Sequence, residues 1–311
     1  MDSILKKAKL AAQSGGRPPV AVELSSQGVL AAASPGLDQT PVYAFEALPP
    51  NALNPDIAEK NLRAPEVVAK AIRVALEQVS ARTRSITLVL PDTVVRVFVL
   101  DFVSLPAKAE EAIPLIRFRL RKMVPFDVEH AGLSYQVLVQ SKSEWKVLAA
   151  VIPGPILQEY EAAIRQAGYE PGAVLPTSLA ALAAIHEEEP VLVANLGELA
   201  LTTSITHGQD LLLYRTLDLP LDANQRLQEV QRGIAVAAAY YEDKLGARPQ
   251  TLHYAGIGAG GNSTAEEFAR WIGGLDLSVT DLAPRPETGA ATALGNSVSL
   301  AGIVGALAGA A

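Results

Sequence analysis

The sequence predicts an α/β protein made of two similar halves with a cleft between them. The segments PVAVELSSQGVLAA from Pro19 and PVLVANLGELALTT from Pro190 each read as a buried strand, a polar bend and a second strand. Each is followed by a further strand and a helix. With a one-residue offset the bends fall at Glu23 and Asn195, 172 positions apart. This pattern favours a duplicated α/β domain over one doubly wound sheet, the alternative being chance similarity of common hairpin sequences.

The first half begins with a predicted hairpin and helix. Apolar runs at 20–24 and 29–33 flank a polar bend, and a third run at 42–47 is also a predicted strand. Pro65 is well placed to open a helix, because proline is favoured at the first helical position. From Val67 the apolar residues recur at helical spacing.

The middle of the chain predicts a smaller α/β unit. Strands are expected at 85–90 and 94–102 across the turn Pro91, Asp92, Thr93, and again at 133–139 and 145–152. A helix is expected over 107–123, with acidic residues in its first turn and a kink or late start at Pro114.

The remaining predicted elements complete the first half and form the second. The predicted helices are 157–167, 177–188, 222–245, 263–271 and one at the C-terminal end, and the predicted strands are 172–175, a hairpin over 191–205, 211–217, 251–254 and 277–280. Residues 1–13 read as a short basic helix ended by Gly and Pro.

The amino-acid composition excludes several classes of site and argues against one class of partner. A chain of 311 residues with 49% hydrophobic and 19% charged residues is long enough for two domains and has a globular composition. Its formal net charge of -7 argues against a nucleic-acid partner, because such proteins concentrate Lys and Arg. The absence of cysteine excludes disulfides, thiolate metal sites and cysteine nucleophiles, and the four histidines show no ligand spacing.

Neither end of the chain reads as a membrane segment. The N-terminus has basic residues without a signal-peptide apolar core. The apolar stretch 297–311 is shorter than the roughly 20 residues a bilayer helix needs and is rich in Gly and Ala. We therefore expect a cytoplasmic protein with no transmembrane segment of its own and a buried terminal helix.

The order of motifs resembles that of actin-like nucleotide-binding proteins. Strand, bend and strand occur in each half, and YAGIGAGG at 254–261 is a glycine-rich turn after a late strand. From about Val20 to the end the chain resembles more closely the PilM family, the cytoplasmic actin-like components of type IV pilus assembly, which are related to FtsA. The markers are VLPDTVVRVFVLDFVSLP (89–106) and RFRLRKMVPFDVEHAGLSYQVL (117–138), together with the order of elements after Pro190.

The resemblance implies two actin-like lobes with ATP and Mg²⁺ in the cleft. It places the first lobe at 1–90 and 153–189, a small inserted α/β subdomain at 91–152, and a second lobe with a reduced outer subdomain at 190–311. It also implies a scaffold that is peripheral at the inner membrane through its partners. These partners are the N-terminal tail of a PilN-like membrane protein and other pilus assembly proteins.

The first bend departs from the Asp-Ile-Gly pattern of that family. It reads Glu23, Leu24, Ser25, with Ser26 following, and Leu30 stands where a lysine is expected. The side chain of Ser25 hinders the approach of backbone N–H groups to a phosphate, whereas glycine at this position would not. Glu23 is either a substitute acid or a polar residue that caps the hairpin.

The second bend keeps a glycine and loses the acid. It reads Asn195, Leu196, Gly197, with Thr202 near the place of a family threonine. A neutral amide cannot offset the charge of Mg²⁺ as a carboxylate does, so Asn195 weakens hydrolysis more than nucleotide binding. The sequence therefore predicts at most weak ATP binding or hydrolysis, and no catalytic residue. The alternative is an active actin-like ATP-binding protein.

The glycine-rich turn and the outer part of the second lobe bear on the same site. Gly256, Gly258 and Gly260 are candidates for contacting adenosine, although a plain strand-to-helix turn explains them equally well. Only a few residues separate Leu217 from Asp222, where relatives have a subdomain that closes over the base. The cleft is expected to be open on that side.

A cationic cluster lies inside the predicted inserted subdomain. Most such runs are solvated helix faces, with cations favoured near the C-terminal end of a helix. The functional alternative is a docking edge for the partner peptide. Its candidate residues are Arg117, Arg119, Arg121, Lys122 and Phe126.

Three other functions fit the sequence less well. A sugar kinase of the same fold class needs an intact phosphate bend and a catalytic Asp against a hydroxyl group, and neither is in place. The cytoplasmic part of a type II secretion L-type protein has related architecture, but that family continues into a membrane helix. Ser178, Ser204 and His207 match no hydrolase pattern such as a nucleophile elbow.

Overall fold

The computed structural model describes residues 16–34, 40–141, 144–256, 264–274, 276–283 and 298–308. Its strands are β1 Val20–Leu24, β2 Gly28–Ala33, β3 Val42–Ala47, β4 Ser85–Leu90, β5 Arg96–Phe102, β6 Gly132–Gln140, β7 Trp145–Ile152, β8 Glu170–Pro176, β9 Pro190–Leu196, β10 Ala200–His207, β11 Asp210–Asp218, β12 Thr251–Gly256 and β13 Ser278–Asp281. Its α-helices are α1 Pro65–Gln78, α2 Ala109–Leu120, α3 Gly154–Gln166, α4 Thr177–Ala181, α5 Ala223–Leu245, α6 Ala265–Ile272 and α7 Ala301–Ala308.

Two five-stranded sheets share one topology. The first has the order β3-β2-β1-β4-β8 and the second the order β11-β10-β9-β12-β13. In each sheet the first three strands along the chain pair antiparallel. The other two strands then join in parallel. We refer to the first sheet with α1, α3 and α4 as the first lobe, and to the second sheet with α5 and α6 as the second lobe. The predicted duplication is confirmed.

Burial explains why the central strands read as apolar runs. In a strand covered on both faces, nearly every side chain must be apolar. Both β1 and β9 are buried along almost their whole length, and in each the polar residue near the end is the one that reaches the cleft. Those two residues are Glu23 and Asn195.

A third, antiparallel sheet of order β5-β7-β6 is inserted between β4 and β8. One of its faces is covered by α2, which buries Ala112, Ile116 and Leu120 against it. The opposite face, including Val97 and Leu148, joins the core of the first lobe. The small inserted subdomain that the sequence predicted is therefore present, and α2 begins at Ala109 and continues through Pro114.

Several predicted bounds differ from the observed ones by a few residues, and two of the differences involve a 3-10 turn. The helix predicted over 177–188 is α4 followed by a 3-10 turn at Leu182–Ala184, and residues 185–189 lead into β9. Three consecutive glutamates at 187–189 would place negative charge at the C-terminal end of a longer helix, which is unfavourable. The strand predicted from Val94 begins at Arg96, because Asp92–Val94 forms a 3-10 turn.

The last helix, α7, packs on the first lobe although it follows the second in the chain. Ile303 and Ala306 are fully buried in one cluster with Ala21 and Val89 of the first sheet. A β-carbon on Gly305 would lie 2.0 Å from the carbonyl oxygen of Ala180, so α7 and α4 cross at backbone contact. The predicted leader helix at 1–13 and residues 309–311 lie outside the described residues.

The residues that the structure describes include no helix both long and apolar enough to cross a bilayer.

Candidate functional site

The candidate site is the cleft between the two lobes, where the β1–β2 and β9–β10 bends face each other. The cleft encloses about 790 Å³, a figure that includes solvent at its mouth. Its lining residues include both bends, the turn after β4, the start of α4 and the chain before α7. They are Glu23–Gln27, Leu30, Pro55, Pro91–Thr93, Thr177, Asn195–Ala200, Gly256, Val298 and Ser299.

The first bend is a closed turn held by its own backbone. The amide of Ser25 donates to the carbonyl of Gly28 at 3.0 Å, and the amide of Gly28 donates back at 3.2 Å. The Ser25 hydroxyl also donates to that carbonyl at 3.2 Å. Ser25, and not Glu23, is thus the residue that caps the hairpin.

Glu23 extends from the end of β1 into the base of the cleft. Its Oε1 accepts a hydrogen bond from the Thr177 hydroxyl at 3.1 Å, and its Oε2 is buried without a hydrogen-bond partner. A β-carbon on Gly302 would lie 2.9 Å from Oε2, so the carboxyl group packs against the first turn of α7. Burial, more than the nearby Asp92 carboxylate, raises the pKa of Glu23 to about 7, against the hydrogen bond from Thr177 and one from the Ile303 backbone.

The second bend carries Asn195 and Glu198. Asn195 is 3% exposed, and its Nδ2 is buried with no hydrogen-bond partner. The bend is held from outside by Arg226 of α5, which donates to the carbonyls of Gly197 at 2.8 Å and Glu198 at 2.5 Å. Gly256, with φ of +124°, passes so close to β9 that a β-carbon would lie 2.1 Å from the Leu196 oxygen.

The two bends touch at equivalent positions. The Ser26 hydroxyl donates to the Glu198 carboxylate across the mouth of the cleft, and these residues are 172 positions apart. The same separation relates Glu23 to Asn195, so the internal repeat seen in the sequence brings corresponding residues face to face. A carboxylate therefore occupies the space between the two bends.

Asp92, which the sequence predicts only as a turn residue, belongs to the site. Its Oδ1 accepts from the Ser178 amide at 3.0 Å and from the Ser178 hydroxyl at 2.8 Å, and its Oδ2 accepts from Thr202 at 3.3 Å. Thr202 also pairs with Thr216 at 2.9 Å, and Ser178 with the buried hydroxyl of Tyr214. Asp92 thus links the first lobe to β10 of the second.

Burial dominates the electrostatics of this link. It raises the pKa of Asp92, while the hydrogen bonds from Ser178 and Thr202 oppose the rise. Burial and the nearby Asp92 carboxylate raise the pKa of Tyr214. A second contact between the two sides is the ion pair of Arg96 in β5 with Asp218 in β11, at 2.9 Å.

The structure brings six of the nine predicted nucleotide-site residues to the cleft wall. They are Glu23, Ser25, Ser26, Asn195, Gly197 and Gly256. Thr202 lies behind the wall, where it bonds Asp92 and Thr216. Gly258 and Gly260 lie outside the described residues.

These side chains do not fit a magnesium-bound phosphate group. Asn195 is neutral, the Glu23 carboxyl is directed at Thr177 and α7, and Glu198 lies between the bends. No cluster of three or more His, Asp and Glu side chains that could hold a metal ion occurs within the described part of the chain. The arrangement is suited to binding through hydrogen bonds and apolar contact.

The predicted docking residues divide into two groups. Arg117 donates to the carbonyls of Val128 and, at 3.0 Å, Ala131, and Arg121 pairs with Glu129. Phe126 is half-buried and packs against the core beneath α2. The remaining two, Arg119 and Lys122, are exposed.

The structure adds an apolar surface that sequence reasoning did not select. On the side of α2 facing away from the sheet, Phe118 is 68% exposed and Leu115 is 45% exposed. Residues three or four apart are neighbours on a helix, so Leu115, Phe118 and Arg119 form one continuous surface. The exposed Lys122 follows in the turn after the helix. We call these four residues the α2 outer face. The sequence signal for this surface was the presence of large apolar residues on two sides of the predicted helix.

No family model and no curated protein matches the chain. Among solved structures it is similar to a chain of a PilM-PilN type IV pilus biogenesis complex, with a TM-score of 0.73, 18% identity, and coverage of 95% of this chain and 99% of that one. The cytoplasmic domain of EpsL, an inner membrane component of the type II secretion system of Vibrio cholerae, gives a TM-score of 0.47 at 15% identity, covering 76% and 81%.

A Bacteroides thetaiotaomicron protein of unknown function with an actin-like ATPase fold gives a TM-score of 0.44 at 12% identity, covering 84% of this chain and 89% of that one. At these identities the comparisons bear on the fold. The chain has an actin-like fold of two duplicated domains with a small inserted subdomain, and the fold class predicted from the sequence is confirmed.

Proposed function

We propose that this protein is a cytoplasmic scaffold of a type IV pilus inner-membrane assembly complex. It binds the N-terminal tail of a PilN-like membrane protein, associates with other pilus assembly proteins, and reaches the inner membrane through these partners. The observation that carries the proposal is the likeness to a chain of the PilM-PilN complex over 95% of this chain, with the inserted subdomain included.

A degenerate nucleotide cleft is part of the proposal. Asn195 at the second bend, the Glu23 carboxyl directed at Thr177, and the Glu198 carboxylate between the bends each disfavour a magnesium-bound triphosphate. The Asp92–Thr202 and Arg96–Asp218 contacts join the two sides directly. On this proposal, assembly does not depend on ATP turnover.

The α2 outer face is the surface we assign to the partner. Exposed aromatic and arginine side chains are the groups that most often dominate binding energy at protein interfaces. Arg119 and Lys122 contact the tail through its acidic or carbonyl groups, and Phe118 and Leu115 contact its apolar side chains. Arg117, Arg121 and Phe126 hold the end of α2 in position.

The test is binding of a labelled peptide covering the N-terminal tail of the PilN-like protein from the same organism. We expect saturable binding by the wild-type chain in fluorescence anisotropy. The double variant Arg119→Glu, Lys122→Glu and the single variant Phe118→Ala should each weaken it by about tenfold or more, as loss of a central contact does.

Matched controls separate this surface from general effects. Lys70→Glu reverses an exposed cation on α1, and Val236→Ala shortens a side chain on α5 that is 45% exposed. Both should leave peptide binding unchanged. Tail binding that survives both α2 changes would remove the assigned surface, and no tail binding by folded wild-type protein would remove the scaffold proposal itself.

A further inference from the structure

We propose that the inserted subdomain is a lever that moves with the second lobe, so that separation of the two lobes swings it relative to the first lobe. Its first strand, β5, packs against β11 of the second lobe, and its last strand, β7, leads directly into α3 of the first lobe. The inference goes beyond the scaffold role and does not depend on it, because it concerns contacts within this chain and not the bound partner.

Strand β5 joins the inserted sheet to the second lobe through packing. Among the strands and helices, the most extensive contact of the inserted sheet with either lobe is the one between β5 and β11. Val97 and Leu148 of the inserted sheet share a buried apolar cluster with Leu211 and Tyr214 of β11. The same cluster reaches the first lobe, so the subdomain contacts both lobes and can turn on one while it follows the other.

An ion pair holds the start of β5 to the second lobe. Arg96, the first residue of the strand, donates to the Asp218 carboxylate at 2.9 Å. Tyr214, Thr216 and Asp218 alternate along β11, so their side chains lie on one face of the second sheet. Arg96 also donates to the carbonyl of Thr93 at 3.0 Å, which joins the strand to the turn before it. The second lobe thus holds the strand by which the chain enters the subdomain.

The attachments of the subdomain to the first lobe lie at its base. Asp92, in the turn before β5, accepts from the amide and the hydroxyl of Ser178 in α4 at 3.0 and 2.8 Å, and from Thr202 of β10 at the longer distance of 3.3 Å. At the other attachment, Ile152 ends β7 and is buried in one cluster with Ile156 of α3. Both attachments lie where β5 begins and β7 ends, and there the two strands pair.

This arrangement turns a small rotation at the base into a measurable movement at the far end. The two attachments are roughly 5 Å apart, because they stand at neighbouring strands. The seven residues of β5 extend about 20 Å away from them, so a rotation of about 10° moves the far end by about 3 Å. Hinges of this kind need only a few residues at the ends of elements. Because α2 covers the inserted sheet, the direction of the α2 outer face changes with lobe separation.

The contact between Ser26 and Glu198 offers a way to separate the lobes. It joins the two bends at the mouth of the cleft and involves no residue of the subdomain. Ser26→Glu places two carboxylates against each other, and like charges at this distance repel. Ser26→Gln adds a side chain of nearly the same size without the charge, so it is the matched control.

The movement can be measured with pairs of nitroxide labels by pulsed EPR, because the chain contains no cysteine and labels attach only where one is introduced. The exposed label positions are Glu77→Cys in α1 of the first lobe, Asp243→Cys in α5 of the second lobe, and Ser104→Cys just after the far end of β5. Circular dichroism and the melting temperature establish that each labelled protein is folded.

In the Ser26→Glu protein we expect the labels at Glu77 and Asp243 to move apart and those at Ser104 and Asp243 to keep their distance. The distance between the labels at Glu77 and Ser104 should change by about 3 Å or more, as a rotation at the base requires. In the Ser26→Gln protein all three distances should match the wild type.

Reversal of the charge at Asp218 tests whether the ion pair transmits the movement. Asp218→Lys faces Arg96 with a like charge, so the start of β5 is released from the second lobe. When it is combined with Ser26→Glu, the lobes should still separate, while the distance between the labels at Glu77 and Ser104 returns to its wild-type value.

Glu242→Lys is the matched control for this charge reversal. It reverses the carboxylate of another exposed ion pair, with Arg248 at 3.2 Å near the end of α5. Combined with Ser26→Glu, it should leave the swing of the subdomain intact.

Three outcomes would overturn the proposal. If the lobes separate and the distance between the labels at Glu77 and Ser104 stays constant, the subdomain moves with the first lobe. If that distance changes equally in the presence of Asp218→Lys, the ion pair does not transmit the movement. If Ser26→Glu leaves the distance between the labels at Glu77 and Asp243 unchanged in the folded protein, the subdomain has no lobe movement to follow.

Discussion

Replacing Gly305 by alanine is expected to lower the free energy of unfolding by about 3 kcal/mol, at the upper end of overpacking effects. The new β-carbon would lie 2.0 Å from the Ala180 oxygen and 2.7 Å from its carbonyl carbon. Both are backbone atoms of α4, so a side-chain rotation cannot relieve the contact. The helices must separate, and α7 loses part of its packing on the first sheet. Denaturant unfolding followed by tryptophan fluorescence measures the change.

Gly233→Ala is the matched control, since it makes the same substitution inside another helix. Its β-carbon would meet only the ends of the Leu201 and Leu217 side chains, at 2.8 and 2.9 Å. These can move, and alanine gains about 1 kcal/mol of helix propensity over glycine. The control should therefore change stability by less than about 1 kcal/mol. Equal losses of unfolding free energy in the two variants would mean that the backbone contact between α4 and α7 is not the cause of the destabilisation.

The repeat of strand, bend and strand was enough to predict the architecture. A strand covered on both faces must be apolar along its length, so 20–24 and 190–196 could be recognised without knowing their neighbours. The predicted separation of 172 between the bends reappears as the contact of Ser26 with Glu198. The local sequence pattern was thus sufficient to predict these two strands, because burial on both faces requires an apolar residue at almost every position.

The polar network of the cleft could not be predicted in this way. Pro91, Asp92, Thr93 is a strong turn signal, and nothing near it in the chain indicates that Asp92 is buried. Its partners Ser178 and Thr202 lie 86 and 110 residues away. Burial of a carboxylate depends on such distant contacts, and only the folded chain reveals them.

The surface of α2 shows a related limit. Arg117 and Arg119 belong to the same cationic run, yet Arg117 is used internally by the carbonyls of Val128 and Ala131. Ile116 and Phe118 are both large and apolar, and only the packing of the inserted sheet decides that Ile116 is buried while Phe118 is 68% exposed. Sequence spacing cannot rank two apolar sides of one helix.

The buried carboxyl of Glu23 leads to the second large effect. Because burial raises its pKa to about 7 in the folded protein, from about 4.3 in an unfolded chain, the folded state binds the extra proton between these values. Stability from this group is complete below the unfolded pKa and is lost as pH rises through 7. Asp92, which faces Glu23 and whose pKa is also raised, acts in the same direction.

Glu23→Gln keeps an acceptor for Thr177 and removes the charge. Relative to the wild type, this variant should therefore gain stability between pH 5 and pH 8, by about 3 kcal/mol in all, since each pKa unit corresponds to about 1.4 kcal/mol. The measurement is the difference in unfolding free energy between the two proteins at each pH. Glu77→Gln, an exposed position on α1, tests the loss of a surface carboxylate alone and should show no comparable gain. A difference between Glu23→Gln and wild type that stays constant from pH 5 to pH 8 would mean that Glu23 is ionised throughout, and that its carboxylate is stabilised by contacts other than Thr177.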